Sequence, residues 1–94
     1  MSDAPQSWTF LSNHAHVLIA LSLDSELRMR DIAEQVHITE RAVQRIVREL
    51  VQEGFLEVTK EGRRNRYRIR RDRQLRHPLE AEVPVDALLK LVGS

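Results

Sequence analysis

No cysteine occurs anywhere in the chain. A disulfide framework and a thiolate metal site are therefore excluded, and an intracellular setting fits. Long hydrophobic runs are missing as well. The longest unbroken apolar stretch covers residues 17–21, far short of the roughly 20 residues a membrane-spanning helix needs. Residues 1–6 lack the basic and apolar regions of a signal peptide, so a cytoplasmic protein with no membrane partner is expected. There is no Gly-rich phosphate loop and no nucleophile with a plausible base nearby, so neither an enzyme nor a cofactor is expected. The four histidines do not assemble a metal site either. His14 and His16 point to different sides of a helix, His37 falls in a turn and His77 in a linker. Internal repeats and low-complexity segments are absent.

What is present is a single small domain. Its 94 residues are 41% hydrophobic and 31% charged, which is close to globular averages and gives no sign of disorder. A chain this short buries only one modest core. Net charge is +1, but it is unevenly spread. Residues 1–40 carry two Arg against six acids, residues 41–76 twelve Lys and Arg against five acids, and residues 77–94 one Lys against three acids. A basic middle between acidic ends suits a protein that presents one face to a polyanion.

Periodicity divides the chain into elements. Ser12 or Asn13 caps a first helix whose apolar residues Ala15, Val17, Leu18, Ile19, Ala20, Leu21 and Leu23 occupy more than one stripe. One side should meet the domain's own core, and the other needs a partner. Asp24, Ser25 and Glu26 break the pattern, and residues 27–29 read as a short extended piece. A second helix is expected over residues 30–36, with Ile32, Ala33 and Val36 at helical spacing. His37 and Ile38 turn the chain, and Thr39 caps a third helix from Glu40 to about Glu53, stopped by Gly54. The period then changes to two. Residues 55–60 form a strand with Leu56 and Val58 on one face, and residues 66–70 a second with Tyr67 and Ile69 facing inward. A polar connection over residues 71–78 follows, and Pro84 opens a last helix with Val85, Leu88, Leu89 and Val92 as its apolar stripe.

The second and third helices make the strongest signal. Ala33 is small enough for two crossing helices to approach closely, and Val43, Ile46, Val47 and Leu50 form one buried stripe of the third helix. Arg41, Gln44, Arg45 and Arg48 form the opposite stripe. Arg can bond guanine bidentately and Gln can bond adenine, both from the major groove. An ordinary solvated face, held by pairs such as Arg45 with Glu49, would use the same residue types. The hairpin weighs against that reading. Gly62-Arg63-Arg64-Asn65-Arg66 gathers three guanidinium groups and an amide at its tip, which edge protection by charge explains poorly. A flexible basic tip can reach phosphates or a narrow minor groove.

Residues 12–70 resemble the winged helix-turn-helix domain of MarR- and ArsR-type transcriptional regulators. The stretches that carry the resemblance are residues 30–36, 38–47, 50–56 and 62–69. It implies a mainly α fold with a small β-hairpin, three helices forming the core and the hairpin a wing. It also implies that the third helix enters the major groove of double-stranded DNA. By position, Thr39, Arg41, Gln44 and Arg45 would contact bases or phosphates, and Arg63, Arg64 and Arg66 would be wing contacts; Arg48 and Asn65 extend these two sets. His37 departs from the pattern, since such motifs usually place Gly at that turn and His is less comfortable in a left-handed conformation. The long C-terminal helices that complete the dimer of MarR proteins are also missing.

These readings divide the chain into an N-terminal segment (1–11) docking on a partner subunit, a winged helix-turn-helix domain (12–70), and a linker with a C-terminal helix (71–94). A homodimer is expected because the apolar residues exceed what so small a domain buries alone. Its interface should use Trp8, Phe10, Val17, Leu88, Leu89 and Val92. Two alternatives stay open: a winged-helix module that binds protein, and an architectural DNA binder with little sequence preference.

Overall fold

In the computed structural model, which describes residues 8–92, the first helix begins where the Ser12 hydroxyl accepts the Ala15 N–H (3.2 Å). This helix, α1 (Asn13–Leu23), buries Val17, Leu18, Ala20 and Leu21. At Asp24 the backbone becomes extended (φ −152°) and the helix stops. Helix α2 (Met29–Val36) starts one residue earlier than its apolar spacing suggests. Asp31 accepts the Arg28 N–H (3.3 Å) and places a negative charge in the first turn, where the helix dipole favours it.

His37 closes α2 in the left-handed region, with φ +67° and ψ +45°. This geometry lets the N–H groups of His37 and Ile38 both reach the Ala33 carbonyl (2.9 and 3.1 Å), which would otherwise lack a partner. Two residues later the Thr39 hydroxyl accepts the Ala42 N–H (3.0 Å) and starts α3 (Glu40–Gln52). That helix buries Val43, Ile46, Val47 and Leu50, a stripe at i, i+3, i+4 and i+7. Gly54 (φ +82°) then reverses the chain, and Phe55 donates to the Leu50 carbonyl (2.8 Å).

Strands β1 (Leu56–Glu61) and β2 (Arg64–Ile69) pair antiparallel from Leu56 opposite Ile69 to Glu61 opposite Arg64. Leu56 and Tyr67 root the hairpin in the core. Further out, Val58 is already exposed, so the distal half lies outside the apolar core. The turn is shorter than the run of polar residues suggests. Only Gly62 and Arg63 lie between the strands, and Gly62 takes φ +64° at the first turn position. Among the described residues His37 alone of the non-glycines has positive φ, so Arg63 has negative φ, as in a two-residue type II′ turn.

Residues 71–84 bridge the hairpin to the last helix. Leu75 donates to the Val83 carbonyl (2.9 Å), and Val85 and Asp86 donate to Arg73 and Arg71 (2.8 and 2.9 Å). The guanidinium of Arg73 lies 5.2 Å from the centroid of the Phe55 ring and donates to the Glu53 carbonyl (2.9 Å). Helix α4 (Val85–Val92) is thereby laid across α1, with Val85 and Leu89 fully buried. The second apolar side of α1 is thus covered within the chain. Each buried Val or Leu is worth about 1.5–3 kcal/mol relative to exposure, which explains why this contact forms within one chain. No buried side chain is polar among the described residues.

Candidate nucleic-acid interface

Arg41, Gln44, Arg45 and Arg48 are all exposed on α3, on the side away from its buried stripe. The geometry follows from the helical period, because residues three, four and seven apart share a face. They are not equally free. Arg45 reaches Glu49 at 3.3 Å, and Glu49 in turn lies 2.7 Å from the Nε2 of His14 on α1. The His14 hydrogen bond holds the Glu49 carboxyl below its usual range, and the charge of Arg45 adds to the effect. Arg41, Gln44 and Arg48 make no such contact among the described residues. The hydroxyl oxygen of Thr39 is used as the cap of α3, while its hydrogen stays available to a phosphate.

The hairpin corrects one expectation. Arg64, Asn65 and Arg66 belong to β2, and only Arg63 sits in the turn. Glycine at the left-handed position makes a two-residue turn possible, so the strands run further than the charge pattern suggests. Arg64 donates to the Glu26 carbonyl (3.0 Å), and Arg66 lies 3.0 Å from the Glu26 carboxylate and 3.3 Å from Glu61. The amide of Asn65 is 3.4 Å from the Tyr67 hydroxyl. At the base of the ribbon, Arg68 and Arg70 share Glu57 (3.4 and 3.1 Å). Arg63 is exposed and makes no such contact among the described residues.

Two crossing helices joined through a left-handed residue, an outward Arg and Gln stripe on the second, and a two-stranded ribbon directly after it are now in place. Residues 13–57 match the family described as winged helix-turn-helix DNA-binding. Together with the β1–β2 hairpin that follows them, these residues have the winged helix-turn-helix fold. The fold is similar to that of MepR, a transcription regulator of the Staphylococcus aureus multidrug efflux pump MepA. The identity is 18% and the TM-score 0.58, over 84% of this chain and 55% of that one. A second solved structure, the zinc-dependent MarR family transcriptional regulator AdcR in its Zn(II)-bound state, is 25% identical with a TM-score of 0.49, over 68% of this chain and 46% of that one. The chain thus spans about half the length of the solved proteins it matches. No curated protein sequence matches it.

Within this winged helix-turn-helix, α3 occupies the place of the recognition helix and the β1–β2 hairpin that of the wing. The residues expected at a dimer interface separate into two groups. Val17 and Leu89 are each 0% exposed, enclosed by the protomer's own helices, and so leave the interface. Singly, α1 and α4 each carry an apolar stripe without a partner, and in the fold the two helices pack together. Trp8 (66% exposed) and Phe10 (92%) pack edge to face at 4.9 Å, outside the core. Val92 is exposed and Leu88 half-buried, and Leu91 is an exposed apolar residue beside Val92 in sequence.

The fold also assembles features that sequence spacing did not reveal. His14 meets Glu49 across 35 positions, and Glu26 meets Arg66 across 40. A groove of about 680 Å³ opens between α1, the end of α3 and α4, with Leu18, Leu50, Phe55 and Val85 among its lining and His14 and Glu49 beside them. Among the described residues no group of three or more His, Asp or Glu side chains gathers as metal ligands. His16 instead lies 3.3 Å from the Asn13 side chain, and His77 accepts the Leu79 N–H (3.1 Å). No helix among them is long and apolar enough to cross a membrane.

Proposed function

We propose that this protein is a sequence-specific, double-stranded DNA-binding transcriptional regulator of the MarR kind, without catalytic activity. It acts in the cytoplasm, on the chromosome, as a homodimer. The observation that carries the reading is the exposed stripe of Arg41, Gln44 and Arg48 on a recognition helix whose opposite face is buried. Its residue types match the donor and acceptor edges of guanine and adenine in the major groove. Arg63, at the tip of the wing, is placed to meet the backbone or minor groove. The protruding Trp8–Phe10 pair, with Leu91 and Val92, supplies apolar surface of the kind a twofold interface covers.

Selection of bound sites from random duplexes tests the proposal. A near-palindromic site with half-sites about one helical turn, roughly 34–36 Å, apart is the expected product. Arg41, Arg48 and Arg63 of two protomers bring six cations to the DNA polyanion and displace its condensed counter-ions, so log affinity should fall with log salt at a slope of about −5. Gln44→Ala should cost about 1–3 kcal/mol on the selected site and relax preference at one or two base positions. Enrichment of no sequence, or a slope near zero, overturns the assignment.

A further inference from the structure

The loop between α1 and α2 holds the wing at three points. Ser25 accepts the Tyr67 N–H (3.0 Å), the Glu26 carbonyl accepts from Arg64 (3.0 Å), and the Glu26 carboxylate accepts from Arg66 (3.0 Å). The loop is itself set for this. Asp24 accepts the Glu26 N–H (3.0 Å), which fixes the turn, and Leu27 packs against the core one residue later. The Arg66 guanidinium therefore lies between two carboxylates, Glu26 on one nitrogen and Glu61 on another. A DNA phosphate approaching Arg66 meets a cation already neutralised, with acidic oxygens beside it.

We infer that Glu26 is a positioning residue for DNA binding. It withholds Arg64 and Arg66 from the phosphates and leaves Arg63 as the cation through which the wing touches the backbone. The inference rests on the DNA-binding reading above. It divides the wing by chemistry: Arg64 is held by a backbone carbonyl, which no side-chain change at position 26 removes, whereas Arg66 is held by the carboxylate. Replacing Glu26 with Gln should therefore loosen Arg66, leaving it the Glu61 carboxylate alone, and leave Arg64 as it is.

The experiment is a double-mutant cycle read through the salt dependence of binding to a fluorescein-labelled, mixed-sequence duplex of about 30 base pairs. Slopes report phosphates neutralised, at about 0.9 each. Arg63→Ala should weaken binding and lower the slope by about 0.9 per protomer, and Arg66→Ala should leave the slope unchanged. Glu26→Gln should tighten binding and steepen the slope by up to about 0.9 per protomer. Adding Arg66→Ala to Glu26→Gln should abolish that gain, whereas Arg64→Ala should act alike in both backgrounds. Position 26 is exposed, so the variant should melt within a few degrees of the parent, and a circular-dichroism melt checks this. If Arg66→Ala lowers the slope while Glu26 is present, Arg66 contacts DNA already and the inference fails. If the Glu26→Gln gain survives without Arg66, it reflects net charge alone and the inference fails. If the parent does not bind the duplex at 50 mM salt, the DNA-binding reading itself falls, and the inference with it.

Discussion

Replacing His37 with glycine should make the protein more stable. His37 holds φ +67° and ψ +45° to turn the chain between α2 and α3, and there its Cβ crowds the carbonyl oxygen that follows. That crowding costs an L-residue about 1–2 kcal/mol. Glycine removes it, but its unfolded chain is freer, which returns about 0.4–1 kcal/mol. The imidazole is exposed, and both hydrogen bonds at the turn use backbone N–H groups that glycine keeps. The net gain lies between about 0 and 1.6 kcal/mol and centres on about 0.8 kcal/mol. For a domain of this size the central value corresponds to a rise in Tm of about 3–6 °C. His37→Ala is the control, since it removes the imidazole and keeps the Cβ, so its Tm should stay close to the parent's. Thermal melts followed by circular dichroism, supported by urea titrations at 25 °C, measure all three proteins. A glycine variant no more stable than the alanine variant would refute the claim that left-handed strain is stored at this turn.

Two further outcomes concern the core and the charges. Leu89→Ala should cost about 2–5 kcal/mol, because Leu89 is fully enclosed against α1; a loss below about 1 kcal/mol in urea titrations would mean that α4 is not docked in this way. Stability should also decline in acid. The Glu49 carboxyl is lowered from its usual 4.5, first by the His14 hydrogen bond, and Asp86 from its usual 3.8, first by the Arg71 hydrogen bond. A carboxylate whose folded pKa is depressed stabilises the fold above its unfolded pKa, and that contribution is lost as pH falls through the folded value. Melts between pH 7 and 3 should therefore drop from about pH 4.5 downward, and less so in Glu49→Gln with Asp86→Asn. Because both pairs are partly exposed the effect is modest. An identical pH profile in the double variant would contradict it.

Much of this protein was legible from local rules. The cap Thr39 and the stop at Gly54 were marked by residue type, and the first cap was narrowed to Ser12 or Asn13, because a helix end is satisfied by neighbours within a few positions. The two faces of α3 follow from the helical period alone, so the exposed Arg and Gln stripe is written in the spacing of its residues. His37 stood out where a left-handed residue was needed, and that is the conformation it takes. The wing was legible as an alternating ribbon, but its tip was not. Whether Arg64–Arg66 lie in a turn or a strand depends on how β1 registers with β2, and pairing register is a tertiary property.

The rest was decided in three dimensions. Val17 and Leu89 each belong to an apolar stripe that, read alone, asks for a partner, and only the packing of α1 and α4 into one core shows that both are buried within the chain. Charge shows the same division more sharply. The sequence determines that residues 41–76 are rich in arginine, and helical spacing brings Arg45 to Glu49. It does not determine that Glu26 reaches Arg66 or that His14 reaches Glu49. Secondary structure repeats over a few residues, so its faces are written in the local order of side chains. An ion pair between distant residues depends on where two separate elements come to rest, and that is set by the packing of the apolar core between them.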